Sequence, residues 1–314
     1  MRAEHVDVLE AHSPYLAAAA IVACGRQAAR VRTAFWHADH VGAYVEPPLA
    51  RWLGPRAAGA IGGQMRRAFK RLLAPFDATF VAGREQAAHL RRAGVEGVVH
   101  VPFGVDVTTF SPDARRESMR RELLGDADPN ATLFVGAGRF AFEKRWDVVL
   151  DAFARVRAHR DAVLVLFGDG PEREALERTA PAGVRFVGFE RDRARLASAI
   201  ASADALLPGC PYETFGMGIA EAVACGTPVV APDAGGVTET VDPSCGAVYA
   251  ALDSSACAAA IERLLARDPA ELRARALDAS SRVCTESEHY GRVLATYDAI
   301  IAAKAAGRTW KAAS

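Results

Sequence analysis

Short runs that read as strands alternate with segments of helical period along this 314-residue chain, and that alternation is the strongest constraint on its fold. The runs are Val6 to Glu10, Val31 to Trp36, Ala78 to Val81, Val98 to Val101, Thr132 to Val135, Ala162 to Phe167, Val184 to Val187, Ala205 to Leu207 and Val229-Val230. Between them, Trp146, Val149, Leu150, Phe153 and Val156 repeat at helical spacing, Leu196 to Ala203 reads as a helix, and Gly218 to Cys225 reads as another, stopped by Gly226 and Pro228. Strands that take turns with helices require parallel sheets covered on both faces. The chain is long enough for two such domains.

Charge and cysteine content narrow the function. Basic and acidic residues balance at 38 each, which gives no electrostatic case for a nucleic-acid partner. The six cysteines occur singly, without C-x-x-C spacing, and point to a reducing cytosol rather than a disulfide scaffold. The alanine-rich run Leu16 to Cys24 is too short to span a bilayer, and the first residues lack the basic-then-apolar layout of a signal peptide. No period of a repeat architecture appears.

The densest chemistry lies in Pro211-Tyr212-Glu213-Thr214-Phe215-Gly216-Met217-Gly218-Ile219-Ala220-Glu221. One carboxylate falls on a Gly-punctuated turn and the other inside the helix that follows. A strand-turn-helix unit aims backbone N–H groups and the positive helix end at whatever sits over the turn. Carboxylates beside an anion site suit a ligand with both phosphate and hydroxyl groups, the hydroxyls donating to the carboxylates. Upstream, Thr132 to Val135 runs into Gly136-Ala137-Gly138-Arg139, with Lys144 five residues later, so two cations stand at a strand end where open α/β sheets bind ligands. Gly136 to Ala141 also fits the G-x-G-x-x-A dinucleotide fingerprint, with Asp169 at the end of the next strand as its ribose acid, and a nicotinamide or flavin enzyme is the rival reading.

The segment Pro211 to Val241 resembles the signature of the retaining family 4 glycosyltransferases, whose two glutamates stand seven residues apart in the intervening count. The resemblance implies a GT-B-like α/β fold of two Rossmann-like, doubly wound parallel-sheet domains facing a cleft. It assigns Glu213 to the hydroxyls of the donor sugar and Glu221 to the ribose, with backbone amides from Phe215, Gly216 and Met217 and with Thr214 among the donor-binding residues. Arg139 and Lys144 then grip the donor diphosphate beside Gly138, Gly168-Asp169 recurs after the second strand of the donor domain, and the base lies near the Val187 to Phe189 loop. Fixed cations there lower the barrier as the departing nucleoside diphosphate gains charge. His37 ends the strand Val31 to Trp36, and in similar enzymes a histidine at this place contacts the transferred sugar, so the catalytic set is His37, Arg139, Lys144 and Glu213. Such a reaction retains configuration and needs neither metal nor cofactor. Read without the resemblance, His37, Asp39 and His40 include two metal-ligand types but lack a well-spaced third ligand.

Phe103 to Asp106, then Phe110-Ser111-Pro112, are similar to the family's hinge, which gives an N-terminal acceptor-side domain over 1–110, a nucleotide-sugar domain over 111–288, and a last helix in 289–314 crossing back to the first. Relative to the family, the N-terminal domain lacks its first strand-helix units, an expectation that leaves Val6 to Glu10 as a sheet edge. The expected function is transfer of a hexosyl group, mannosyl first, from a nucleoside-diphosphate sugar to a hydroxyl acceptor in polysaccharide or glycolipid assembly. A donor-binding remnant and a sugar-nucleotide epimerase on a similar fold are the alternatives. Between Glu46 and Asp77 lie Arg51, Arg56, Arg66, Arg67, Lys70 and Arg71 without an acidic residue, interleaved with Trp52, Leu53 and Phe69. That pattern suits either a solvated face or a peripheral contact with the inner membrane face.

Overall fold

The computed structural model describes residues 6–13 and 15–312. The chain divides into two units, one formed by Met1–Phe103 with Ser287–Ser314 and one by Gly104–Glu286. The sequence places these divisions at 110 and 288. The earlier crossing follows from hydrogen bonding: Val105 N donates to Cys284 O at 2.8 Å and Glu286 N donates to Val105 O at 3.3 Å, which ties the 104–110 segment to the second unit. Phe110, wholly buried, anchors the same segment in that unit's core.

The first unit holds a parallel sheet of β1 (Val6–Ala11), β2 (Ala29–Trp36), β3 (Ala78–Val81) and β4 (Val98–His100), in that spatial order. Strand β2 lies inside the sheet and is buried from Val31 to Trp36, Arg32 and Thr33 included, while β1 is an edge strand whose burial deepens only toward Ala11. One face packs on Ala18, Ile21, Phe69 and Leu73 from the preceding helices. The other is closed by the long C-terminal helix Glu286–Ala305, whose Ile300 meets Val31 and Ala78.

The second unit carries β5 (Thr132–Ala137), β6 (Ala162–Phe167), β7 (Val184–Gly188), β8 (Ala205–Leu206), β9 (Val230–Pro232) and β10 (Ala247–Tyr249). Pairing gives β7-β6-β5-β8 and β9-β10, all parallel, and a bridge from Leu206 to Val229 joins the two sets. Renumbered within the unit, that order is 3-2-1-4-5-6, the doubly wound arrangement with helices on both faces. Helix starts follow their local chemistry: the Asp192 side chain accepts from Ala194 N at 2.9 Å and opens Arg193–Ser202, and Asp253 accepts from Ala256 N at 2.9 Å and opens Ser254–Leu265. Cys210, Cys225, Cys245 and Cys257 are buried in this unit as free thiols, whereas Cys24 and Cys284 are half-buried.

Candidate functional site

The chain leaves β5 toward β6 on one side and leaves β8 toward β9 on the other, so the sheet order reverses between two adjacent strands. Such a reversal opens a crevice at the carboxyl ends of the strands. A cavity of about 570 Å³ occupies it, and Gly138, Arg139, Lys144, Gly168, Asp169, Glu213, Gly216, Met217 and Glu221 are among its walls.

Each of these side chains is placed by a short-range device. The loop after β5 is pinned by the Trp146 indole, which donates to Arg139 O at 3.0 Å, and ends in a tight turn over Phe142–Lys144 that delivers Lys144 to the cavity. Gly168 has to be glycine: a Cβ there would stand 1.9 Å from the Gly138 carbonyl oxygen. Behind the 213–221 turn, Gly236 N donates to Glu213 O at 2.7 Å and the Thr240 hydroxyl donates to Phe215 O at 2.7 Å. A Cβ on Gly236 would meet Thr214 O at 2.2 Å, so this glycine is what lets the loop buttress the turn. The helix Met217–Ala224 then starts at the cavity wall with the first-turn amides of Met217 and Gly218 outside its own ladder.

The charges alternate. Lys144 Nζ donates to Glu213 Oε1 at 2.5 Å, Arg139 pairs with the buried Glu143, and Arg193 donates to Glu221 Oε1 at 2.8 Å. Burial holds the Glu221 carboxyl above its ordinary range, and Arg193 pulls it back only in part. Burial, with the neighbouring Glu213 charge, pushes the Cys210 thiol up to about 12. The arrangement therefore offers two cations and a helix N-terminus to an anion, and two carboxylates to hydroxyl donors, within one cavity.

Not every residue singled out in the sequence lines it. Thr214 and Phe215 stand behind the wall, Phe215 packed against the core. Of the Val187 to Phe189 loop, Phe189 lines the cavity together with Glu190 while Val187 does not, because the strand ends at Gly188 and the chain turns there. His37 belongs to the first unit, at the end of β2. Asp39 is the cap of the helix His40–Tyr44, its Oδ1 accepting from Gly42 N at 3.0 Å, and among the described residues no three His, Cys, Asp or Glu side chains gather as a metal site. The dinucleotide fingerprint also differs from what the loop forms: the next helix starts only at Trp146, eight residues after Gly138, and the Trp146 ring packs against Gly136 and Gly138, the second of which is where a pyrophosphate would approach. Glu143 and Arg193 escaped the sequence reading. Only Glu143, within the Arg139 loop, carried a local signal.

The family model described as glycosyl transferases group 1 matches residues 130–267, which span this cavity from end to end. Over those residues the chain is similar to the glycosyl transferases group 1 domain. The GDP-mannose-dependent alpha-(1-6)-phosphatidylinositol dimannoside mannosyltransferase of Mycobacterium tuberculosis is 36% identical to it over 220 residues, covering 69% of this chain and 56% of that protein. The D-inositol 3-phosphate glycosyltransferase of Xylanimonas cellulosilytica is 34% identical over 246 residues, covering 73% of this chain and 57% of the relative. The chain thus spans a little over half the length of these two curated relatives. Among solved structures, the sucrose-phosphate synthase of Thermosynechococcus elongatus superposes with a TM-score of 0.77 at 23% identity, over 95% of this chain and 74% of that one. At that identity the likeness shows the fold, which is GT-B. The α/β architecture and the glycosyltransferase domain expected from the 211–241 signature both stand.

Proposed function

We propose that this protein is a retaining glycosyltransferase that moves a hexosyl group, mannosyl in the first instance, from a nucleoside-diphosphate sugar to a hydroxyl of a saccharide or lipid-linked saccharide, without a metal ion. The observation that carries the reading is the alternation of Arg139, Lys144, Glu213 and Glu221 around one helix N-terminus in one cavity. A nucleoside-diphosphate sugar matches that alternation group by group. Its diphosphate draws Lys144 away from Glu213 and stacks charge against Arg139 and the first-turn amides of Met217 and Gly218. Glu213, released, accepts from the sugar hydroxyls, and Glu221 accepts from the ribose. As the glycosidic bond breaks, its electron pair stays with the diphosphate, and the two cations stabilise the charge that grows there. The leaving phosphate takes the acceptor's proton on the same face. His37 is assigned to the transferred sugar, and GDP-mannose is supported by the name of the mycobacterial relative.

Helices Glu46–Leu53 and Pro55–Leu73 support a peripheral contact with a membrane. Trp52 and Leu53 are 83% and 57% exposed beside the basic Arg51 and Arg56, while Arg66 is held by Glu46 at 2.7 Å. No described helix is long and apolar enough to cross a bilayer.

The test is titration calorimetry with GDP, guanosine and GDP-mannose, followed by product analysis with labelled donor. GDP binding well ahead of guanosine and formation of an α-linked mannoside support the reading. Binding without transfer to any hydroxyl acceptor would leave the protein a donor-binding module.

A further inference from the structure

A second set of polar side chains, apart from the donor cavity, lies at the ends of β1 and β2 in the first unit. The Glu10 carboxylate accepts from the Thr33 hydroxyl at 2.7 Å and from the Tyr297 hydroxyl at 2.8 Å, both on Oε2. Its other oxygen stands 3.0 Å from His12 Nε2, and His12 Nδ1 stands 2.8 Å from His37 Nε2. The two imidazoles are 5.1 Å apart at their centroids with planes 22° apart, so their nitrogens meet edge to edge. Phe35 and Phe103 lie parallel to His37, at 4.6 and 5.7 Å, and hold its ring in that plane.

Donor and acceptor chemistry fixes where the protons are. A carboxylate only accepts, so His12 places its proton on Nε2. A neutral His12 then has an accepting Nδ1, which requires His37 to donate from Nε2. We propose that Glu10 and His12 are positioning residues that set this tautomer, so that His37 meets a substrate hydroxyl through an unprotonated Nδ1. The proposal rests on the transferase reading for the use of His37, but not for its tautomer.

Burial, His12 and His40 hold His37 below the ordinary imidazole range, against the opposing pull of Glu10. His40 itself is held low by burial, with Asp39 opposing. From the C-terminal helix, Tyr297 is raised by burial and by Glu10, so it stays a hydroxyl donor, and His289 gives its Nδ1 proton to Pro102 O at 2.8 Å.

The experiment is long-range ¹H–¹⁵N correlation NMR on the histidine-labelled chain at about pH 8, above the ordinary imidazole value. His12 and His37 are expected as Nε2–H tautomers. Glu10→Gln turns an accepting oxygen into an amide: its carbonyl serves Thr33 and Tyr297, its NH₂ must donate to His12 Nε2, and both rings should invert to Nδ1–H. In transfer assays the same variant should lose about tenfold or more in kcat with donor KM within about twofold. A wild-type His37 protonated on Nδ1, or a folded Glu10→Gln chain with unchanged tautomers, overturns the proposal. Should Glu10→Gln fail to fold, the wild-type spectrum still decides the tautomer, and His12→Phe, which breaks the link without touching Glu10, must reproduce the kcat loss. Expected tautomers without transfer activity from any donor would instead sink the transferase reading and the use given to His37.

Discussion

Glu221 is 8% exposed on the helix Met217–Ala224, with Arg193 as its charged partner, and burial holds its carboxyl above the ordinary range. The folded unit therefore keeps the Glu221 proton to higher pH than the unfolded chain does. Stability from this group is full below the ordinary glutamate value and is lost as pH rises through the elevated folded value. At neutral pH the buried charge is a cost, and Glu221→Gln should raise the melting temperature by about 1–3 °C. The same variant should weaken nucleotide binding, because an uncharged amide accepts from hydroxyls more weakly than a carboxylate and only through its single carbonyl oxygen. A nucleotide affinity unchanged in calorimetry would remove Glu221 from the ribose. Arg139→Ala and Lys144→Ala should each cost about 1.5–3 kcal/mol of diphosphate binding and far less of nucleoside binding. Glu213→Ala should abolish transfer while diphosphate affinity holds or rises, since Lys144 loses the carboxylate that occupies it. Matched affinity losses for diphosphate and nucleoside would place those charges elsewhere. Glu213, Glu221, Arg139 and Lys144 were legible because each sits in a local motif. Arg193 was not: 28 residues separate it from Glu221, and only the fold brings them together.

The 213–221 turn is as much a product of the loop behind it as of its own sequence, and two glycine substitutions separate these contributions. Gly236→Ala drives a Cβ into Thr214 O and should destabilise by about 1–3 kcal/mol while loosening nucleotide binding. Gly218→Ala meets nothing within 4 Å and replaces a helical glycine, so stability should hold or rise by up to about 1 kcal/mol. Its methyl would nevertheless project at a cavity wall, and nucleotide affinity should fall. Thermal melts beside calorimetry check both; a Gly236→Ala chain as stable and as tight as the parent would remove the buttress. The long buried strand β6 announced itself as a continuous apolar run. Strand β10 did not, because its three residues alternate in burial and depend on pairing with β9 for their register.

The two units differ in how the chain builds them. Gly104–Glu286 is one continuous stretch, whereas the first unit needs Ser287–Ser314 to return to it. Lys304 Nζ donates to Arg30 O at 2.8 Å and pairs with Asp77 at 2.6 Å, and Ile300 closes the core over Val31 and Ala78. Expression of 104–286 alone should therefore give a cooperatively melting, nucleotide-binding protein. A chain ending at Glu286 should keep that transition and lose the other; retention of both by calorimetry would show the returning helix to be dispensable. The buried sulfurs of the second unit provide a further way to observe it. Cys225 and Cys257 are pushed up to about 12 and Cys245 to about 11, chiefly by burial, as Cys210 is. Only the thiolate attacks an alkylating or disulfide reagent, so at neutral pH these sulfurs are silent until the unit opens. Their modification rate becomes a clock for that opening, slowed by bound nucleotide in proportion to its saturation, while Cys24 in the first unit keeps an independent time.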